Sequence, residues 1–185
     1  MTEQQEKRLA LIPTLAQNSP QRQIGRTALM KFMYFLQVLR RVPLGYRFSL
    51  YSYGPFDSNV LHDLSVAESL GAVESKTVLY PGGYGYEISA AGKAGWLQKR
   101  AEKFVHRHQK DVHWVMEKFG AMSSAHLELV STIIFVDREA AEKEQTLGLD
   151  KLARQVHEIK PHFSESDVLP FAQSLTKDKL LQAVR

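Results

Sequence analysis

Apolar residues recur in steps of three and four along most of this chain, and they alternate with polar ones in only two places. The most informative stretch runs from Gly54 to Trp96. Val60, Leu61, Leu64, Ala67 and Leu70 share a helical face, and Asp57 and Ser58 can cap a helix entering at Asn59. Gly71 falls just past the last periodic residue, where a left-handed C-terminal cap favours glycine. Val73 and the run Thr77–Tyr80 then predict a strand, Pro81-Gly82-Gly83 a turn, and Tyr84, Tyr86 and Ile88 a returning strand. Ser89 opens the next helix. A helix followed by a hairpin is the second half of a winged helix-turn-helix.

Upstream, Thr2 to Gln17 predicts a helix with Leu9, Ile12, Leu15 and Ala16 facing inward. Pro13 removes a backbone donor and is expected to kink or split it. Gly25 to Arg41 is the most apolar helix and is expected to lie centrally in the core. Tyr46 to Tyr53 alternates and predicts a strand able to pair with the hairpin. Tyr53 and Phe56 are expected to plug the core on either side of a bend that Gly54 permits before Pro55.

Downstream, Ala91 to Gly120 reads as one long helix with an apolar stripe through Leu97, Phe104, Val112, Val115 and Phe119. Its other face is basic. The stripe can pack within the chain or against a second copy, so a homodimer through residues 91–120 stays open. From Ala121 the chain reads as all helical. Ala125 to Val136 is a buried helix, Asp137 to Gly148 an exposed connection, and Leu149 to Ile159 a short helix. Phe163 to Asp167 has the pattern of a hydrophobic staple with a capping box. The expected fold is mainly α with a small antiparallel β-hairpin: a winged helix-turn-helix domain over residues 1–96, and a long helix with a helical C-terminal extension over 97–185.

Composition narrows the function classes. The chain has 185 residues, 44% of them hydrophobic, which suffices for a real core. It has no cysteine, so disulfides and thiolate chemistry are excluded. No apolar run approaches a membrane span and no signal peptide is evident, so a cytoplasmic, membrane-free protein is expected. The net charge of +4 permits nucleic-acid binding without requiring it.

Candidate chemistry is sparse. Specific DNA reading needs hydrogen-bonding side chains aimed at base edges. The helix before the hairpin offers Asn59 and His62, but Asp63 and Glu68 are acidic and no Lys or Arg occurs from Tyr53 through Ser75. Such a helix is expected to repel phosphates. The expected phosphate contacts therefore lie elsewhere, at Arg22, Arg26, Lys31, Arg47 and Lys76 and along the Lys93–Lys118 helix, with Tyr84 and Tyr86 as stacking groups. The same residues also read as ordinary solvated charge and core tyrosines. His106, His108 and His113 lack the four-residue spacing of a helical zinc pair. The glycines of Pro81–Gly85 join strands rather than open a helix, so a turn explains them better than a phosphate loop. No catalytic constellation is evident, and neither an enzyme nor a cofactor is expected.

Two stretches carry a resemblance. GRTALMKFMYFLQ, with Lys31 and Tyr34, and YSYGPFDSNVLHDLSVAESLGAVE, with the Tyr53–Phe56 turn, resemble the small bacterial YwgA-type proteins. The same pattern is similar, more distantly, to the Panacea (SocA-like) domain of antitoxins. The second resemblance implies binding of a protein partner. Two functions are thus expected as alternatives. One is a winged-helix DNA-binding regulator of transcription. The other is an antitoxin-like or adaptor module that holds a basic partner protein through Asn59, His62, Asp63 and Glu68 and the hairpin.

Overall fold

The computed structural model describes residues 1–81 and 83–184. Among them the chain is mainly helical with a small antiparallel sheet. It forms two compact units, Met1–Ser49 with Phe56–Ser123, and Leu50–Pro55 with Ser124–Arg185.

The first unit opens with α1 (Glu3–Asn18), capped by the Thr2 hydroxyl, which accepts from the Gln5 N–H. The helix is continuous through Pro13, and every residue from Leu9 to Ala16 is buried. This helix packs on most of its unit, so it shares the central place expected for α2 (Arg26–Leu39) alone. Between them lies β1 (Gln23–Gly25). Helix α2 is buried from Leu29 to Leu36, and its Phe35 ring meets Phe119 at 4.3 Å between centroids.

Helix α3 (Ser58–Ser69) begins and ends as its sequence dictates. The Asp57 carboxylate accepts the Asn59 N–H at 2.8 Å. At the other end Gly71 takes φ +72°, and its N–H reaches the Glu68 carbonyl at 2.8 Å. Strands β4 (Val73–Tyr80) and β5 (Gly83–Ala90) follow as the expected hairpin, in register from Val73 opposite Ala90 to Tyr80 opposite Gly83. Gly82, the middle of the expected turn, lies outside the described residues.

Two expectations about strands are corrected. The hairpin's third strand is β1, in the order β1-β5-β4, with Ile24 opposite Ile88. The Tyr46–Tyr53 stretch instead contributes only β2 (Ser49–Tyr51), which pairs with β3 (Gly54–Phe56). Tyr53 does not plug a core; it is 69% exposed.

The expected long helix is also broken. Ala101, at φ −115° and ψ 29°, separates α4 (Ala94–Arg100) from α5 (Glu102–Phe119). Phe104, Val112, Val115, Met116 and Phe119 of α5 are buried, and the helix packs on α1 and α2. Its apolar stripe is therefore used inside the unit.

The second unit consists of α6 (Ser124–Glu142), α7 (Leu149–Ile159) and α8 (Glu165–Lys177), with the 50–55 turn. Helix α6 continues six residues past its predicted end, and Asp137, expected in an exposed connection, is fully buried. Its carboxylate accepts the N–H groups of Gln182 and Ala183 at 2.8–3.0 Å. The capping box of α8 is present: Ser164 and Asp167 exchange backbone-to-side-chain hydrogen bonds. Gly54, at φ +85°, presses the 50–55 turn onto α6; an added Cβ would stand 3.0 Å from Ser131 Oγ and 3.1 Å from Thr132 Oγ1. Lys160 fastens the same turn, donating to the Tyr51 carbonyl at 3.0 Å and to that of Ser52, while it pairs with Glu128 at 3.1 Å.

Candidate nucleic-acid interface

Helix α3 presents a face that its composition does not suggest. Its periodicity runs Val60, Leu64, Ala67 inward, and Asp63 falls on the same side, fully buried. There its carboxylate takes the Tyr46 hydroxyl at 2.9 Å and ion-pairs with Arg8 Nε at 2.7 Å. Burial, and then the negative charge of Asp63 with its hydrogen bond, push the Tyr46 phenol well above its ordinary value. Asp57 is spent on the helix cap and also accepts the Arg47 N–H at 2.5 Å. Glu68 is half-buried and accepts from the Ser75 hydroxyl. The acids expected to repel phosphate thus point inward or are engaged. What α3 exposes is Ser58, Asn59, His62, Ser65 and Ser69.

Asn59 is oriented for contact. One of its amide hydrogens goes to Asp57 Oδ1 at 2.9 Å, leaving the second hydrogen and the carbonyl oxygen for an outside partner. Arg47 is exposed, and its backbone bond to Asp57 sets it beside the N-terminus of α3. Arg22 is exposed in the turn before β1, at φ +56°.

The remaining sequence candidates fare differently. Lys31 is only 2% exposed and is withdrawn from any phosphate-contacting surface, because its position on α2 faces the core. Arg26 is half-buried, its guanidinium stacked 3.6 Å over the Tyr86 ring. Lys76 is exposed on β4 but pairs with Glu74 at 3.3 Å. Tyr84 is 68% exposed and meets Tyr86 edge-on, and Leu79, beside it across the hairpin, is 84% exposed. Asp63 leaves the proposed partner-binding set because it is a core ion-pair member, while Glu68 stays half-exposed with one hydrogen bond from Ser75.

Basic residues also gather on α5. Lys103, Arg107 and Lys110, at i, i+4 and i+7, are exposed on one face. Two of the three histidines on this helix are engaged: His108 Nδ1 lies 2.8 Å from Asp111 Oδ2 on the same helix, and His113 Nε2 lies 2.8 Å from Asn18 Oδ1 of α1, while His106 is exposed.

No protein-family model matches the chain, and no curated protein matches it significantly. No single helix among the described residues is long and apolar enough to cross a membrane.

Proposed function

We propose that the chain is a non-enzymatic regulator of the winged helix-turn-helix class that binds duplex DNA, with α3 entering the major groove and the β4–β5 hairpin beside it. The observation that carries this reading is the inward turn of Asp63, which leaves Asn59, His62 and Ser65 as an uncharged hydrogen-bonding face, with Glu68 half-buried on the flank of α3 and bonded by Ser75. The free amide edge of Asn59 matches the N6/N7 edge of adenine, and His62 and Ser65 add further donors and acceptors. Arg47 and Arg22 would supply phosphate contacts that position the helix without reading sequence. Fluorescence anisotropy on a duplex, from low to physiological salt, tests the reading. Binding that weakens steeply with salt and drops in Asn59→Ala/His62→Ala supports it; no binding even at low salt refutes it.

A second reading has its own support. Leu79, Tyr80 and Tyr84 leave an apolar, aromatic hairpin surface in solvent, which suits a protein partner and agrees with the Panacea-like resemblance. In that case Leu79→Ser/Tyr84→Ser abolishes capture of a stoichiometric partner while DNA is not bound by the parent chain.

A further inference from the structure

We propose that the outer face of α5 is a second contact for the nucleic-acid backbone, made by Lys103, Arg107 and Lys110; this rests on the reading of the chain as a DNA-binding protein. The three cations are exposed, and among the described residues none forms an ion pair or side-chain hydrogen bond. They span about 10 Å of helix at 1.5 Å per residue. Like charges at this spacing destabilise a helix, so the stripe has no local structural benefit. Two nearby carboxylates are engaged elsewhere, Asp111 with Arg40 at 2.9 Å and with His108, and Glu6 with Arg100; Glu102 is exposed at the N-terminus of α5, where the helix dipole favours an acid. Lys99, at the end of α4, adds a fourth cation, unpaired among the described residues; with Lys103 it lines a shallow cavity of about 380 Å³ that Glu3, Glu6 and Glu102 also line.

The helix cannot roll to hide this face, because Phe104, Val112, Val115 and Phe119 hold the opposite side in the core. The chemistry of the face selects its occupant. From Lys103 to Lys110 no apolar side chain is exposed, whereas a membrane-surface helix inserts apolar groups beside its cations. A second copy packed on this face would set the same cations against one another. A polyphosphate backbone satisfies all three charges and returns the entropy of its released counterions.

The test compares the parent chain with Lys103→Gln/Arg107→Gln/Lys110→Gln on a labelled duplex of about 30 base pairs, reading the slope of log affinity against log salt. All three substitutions are on exposed helix positions, so the fold is expected to persist. The expected result is a slope shallower by about 2.7, from about 0.9 for each of three lost phosphate contacts. An unchanged slope overturns the proposal, including when the triple variant instead loses binding to phosphatidylserine vesicles, which would assign the face to a membrane. The α3 reading fails separately. If Asn59→Ala/His62→Ala leaves affinity intact while the triple variant loses slope, DNA binding resides on α5 and not on α3. A parent chain that binds no duplex at about 20 mM salt overturns both.

Discussion

The Tyr46 hydroxyl donates to the Asp63 carboxylate at 2.9 Å, and the Arg8 guanidinium closes on the same carboxylate while lying 4.9 Å from the Tyr46 ring. This buried group joins α1, the loop before β2, and α3. It fixes how α3 is rotated, and so which of its residues meet solvent. Its neighbour His62 is exposed for the same reason that Asp63 is not.

Breaking the group should therefore act on stability first. Asp63→Ala leaves the half-buried Arg8 guanidinium and the buried Tyr46 hydroxyl without their partner and is expected to cost about 3 kcal/mol, whereas Tyr46→Phe removes one hydrogen bond for about 1 kcal/mol. Urea unfolding measures both. An Asp63 variant of parental stability would mean that the carboxylate is dispensable to the core.

The same tyrosine makes a pH prediction. The folded state holds the phenol proton more tightly than the unfolded chain does. Its stabilising contribution is fully present below the unfolded value, about 10, and declines as pH rises past it, because only the unfolded chain then releases the proton. Stability should fall more steeply above this pH in the parent chain than in Tyr46→Phe. Equal alkaline slopes would contradict it.

Gly54 faces two constraints at once, a positive φ and hydroxyl oxygens about 3 Å from any added Cβ. Gly54→Ala is expected to destabilise the second unit by about 1 to 3 kcal/mol. Ser131→Ala should recover only part of this, since the backbone strain remains. Full recovery would show that crowding alone was at fault.

Lys160 satisfies two carbonyls and a buried carboxylate. Lys160→Met should cost about 3 kcal/mol by leaving the buried Glu128 carboxylate with only the exposed His162 ring at 3.3 Å beside it, and Glu128→Leu/Lys160→Met should cost less than that single change. Thermal or chemical unfolding of the four-variant cycle checks the sign of the coupling.

Asp137→Asn should free the last residues before it affects the helices. Amide exchange at Gln182 and Ala183 is expected to quicken, because both N–H groups bond to this carboxylate. Exchange rates matching the parent's would show that the terminal segment is held by its other contacts, such as the Leu147 N–H on the Ala183 carbonyl at 2.9 Å.

Features set by hydrogen bonds among near neighbours were legible in the residues themselves. The Asp57 cap, the left-handed Gly71, the hairpin after it and the Ser164–Asp167 capping box each need only a few adjacent side chains and the backbone. The inward turn of Asp63 was half legible, since it shares the phase of Val60, Leu64 and Ala67, but a carboxylate on an apolar face is tolerated only with a partner. That partner, Arg8, comes from another helix. Tertiary structure alone decided such pairings: Asp63 with Arg8, Glu128 with Lys160, and Asp137 with the chain end. It also chose Gln23–Gly25 over Tyr46–Tyr53 as the third strand of the hairpin sheet. The physical reason is common to all of them. Burial of a charge and the pairing of a three-residue strand depend on groups far away along the chain, whose approach carries no local periodic signal.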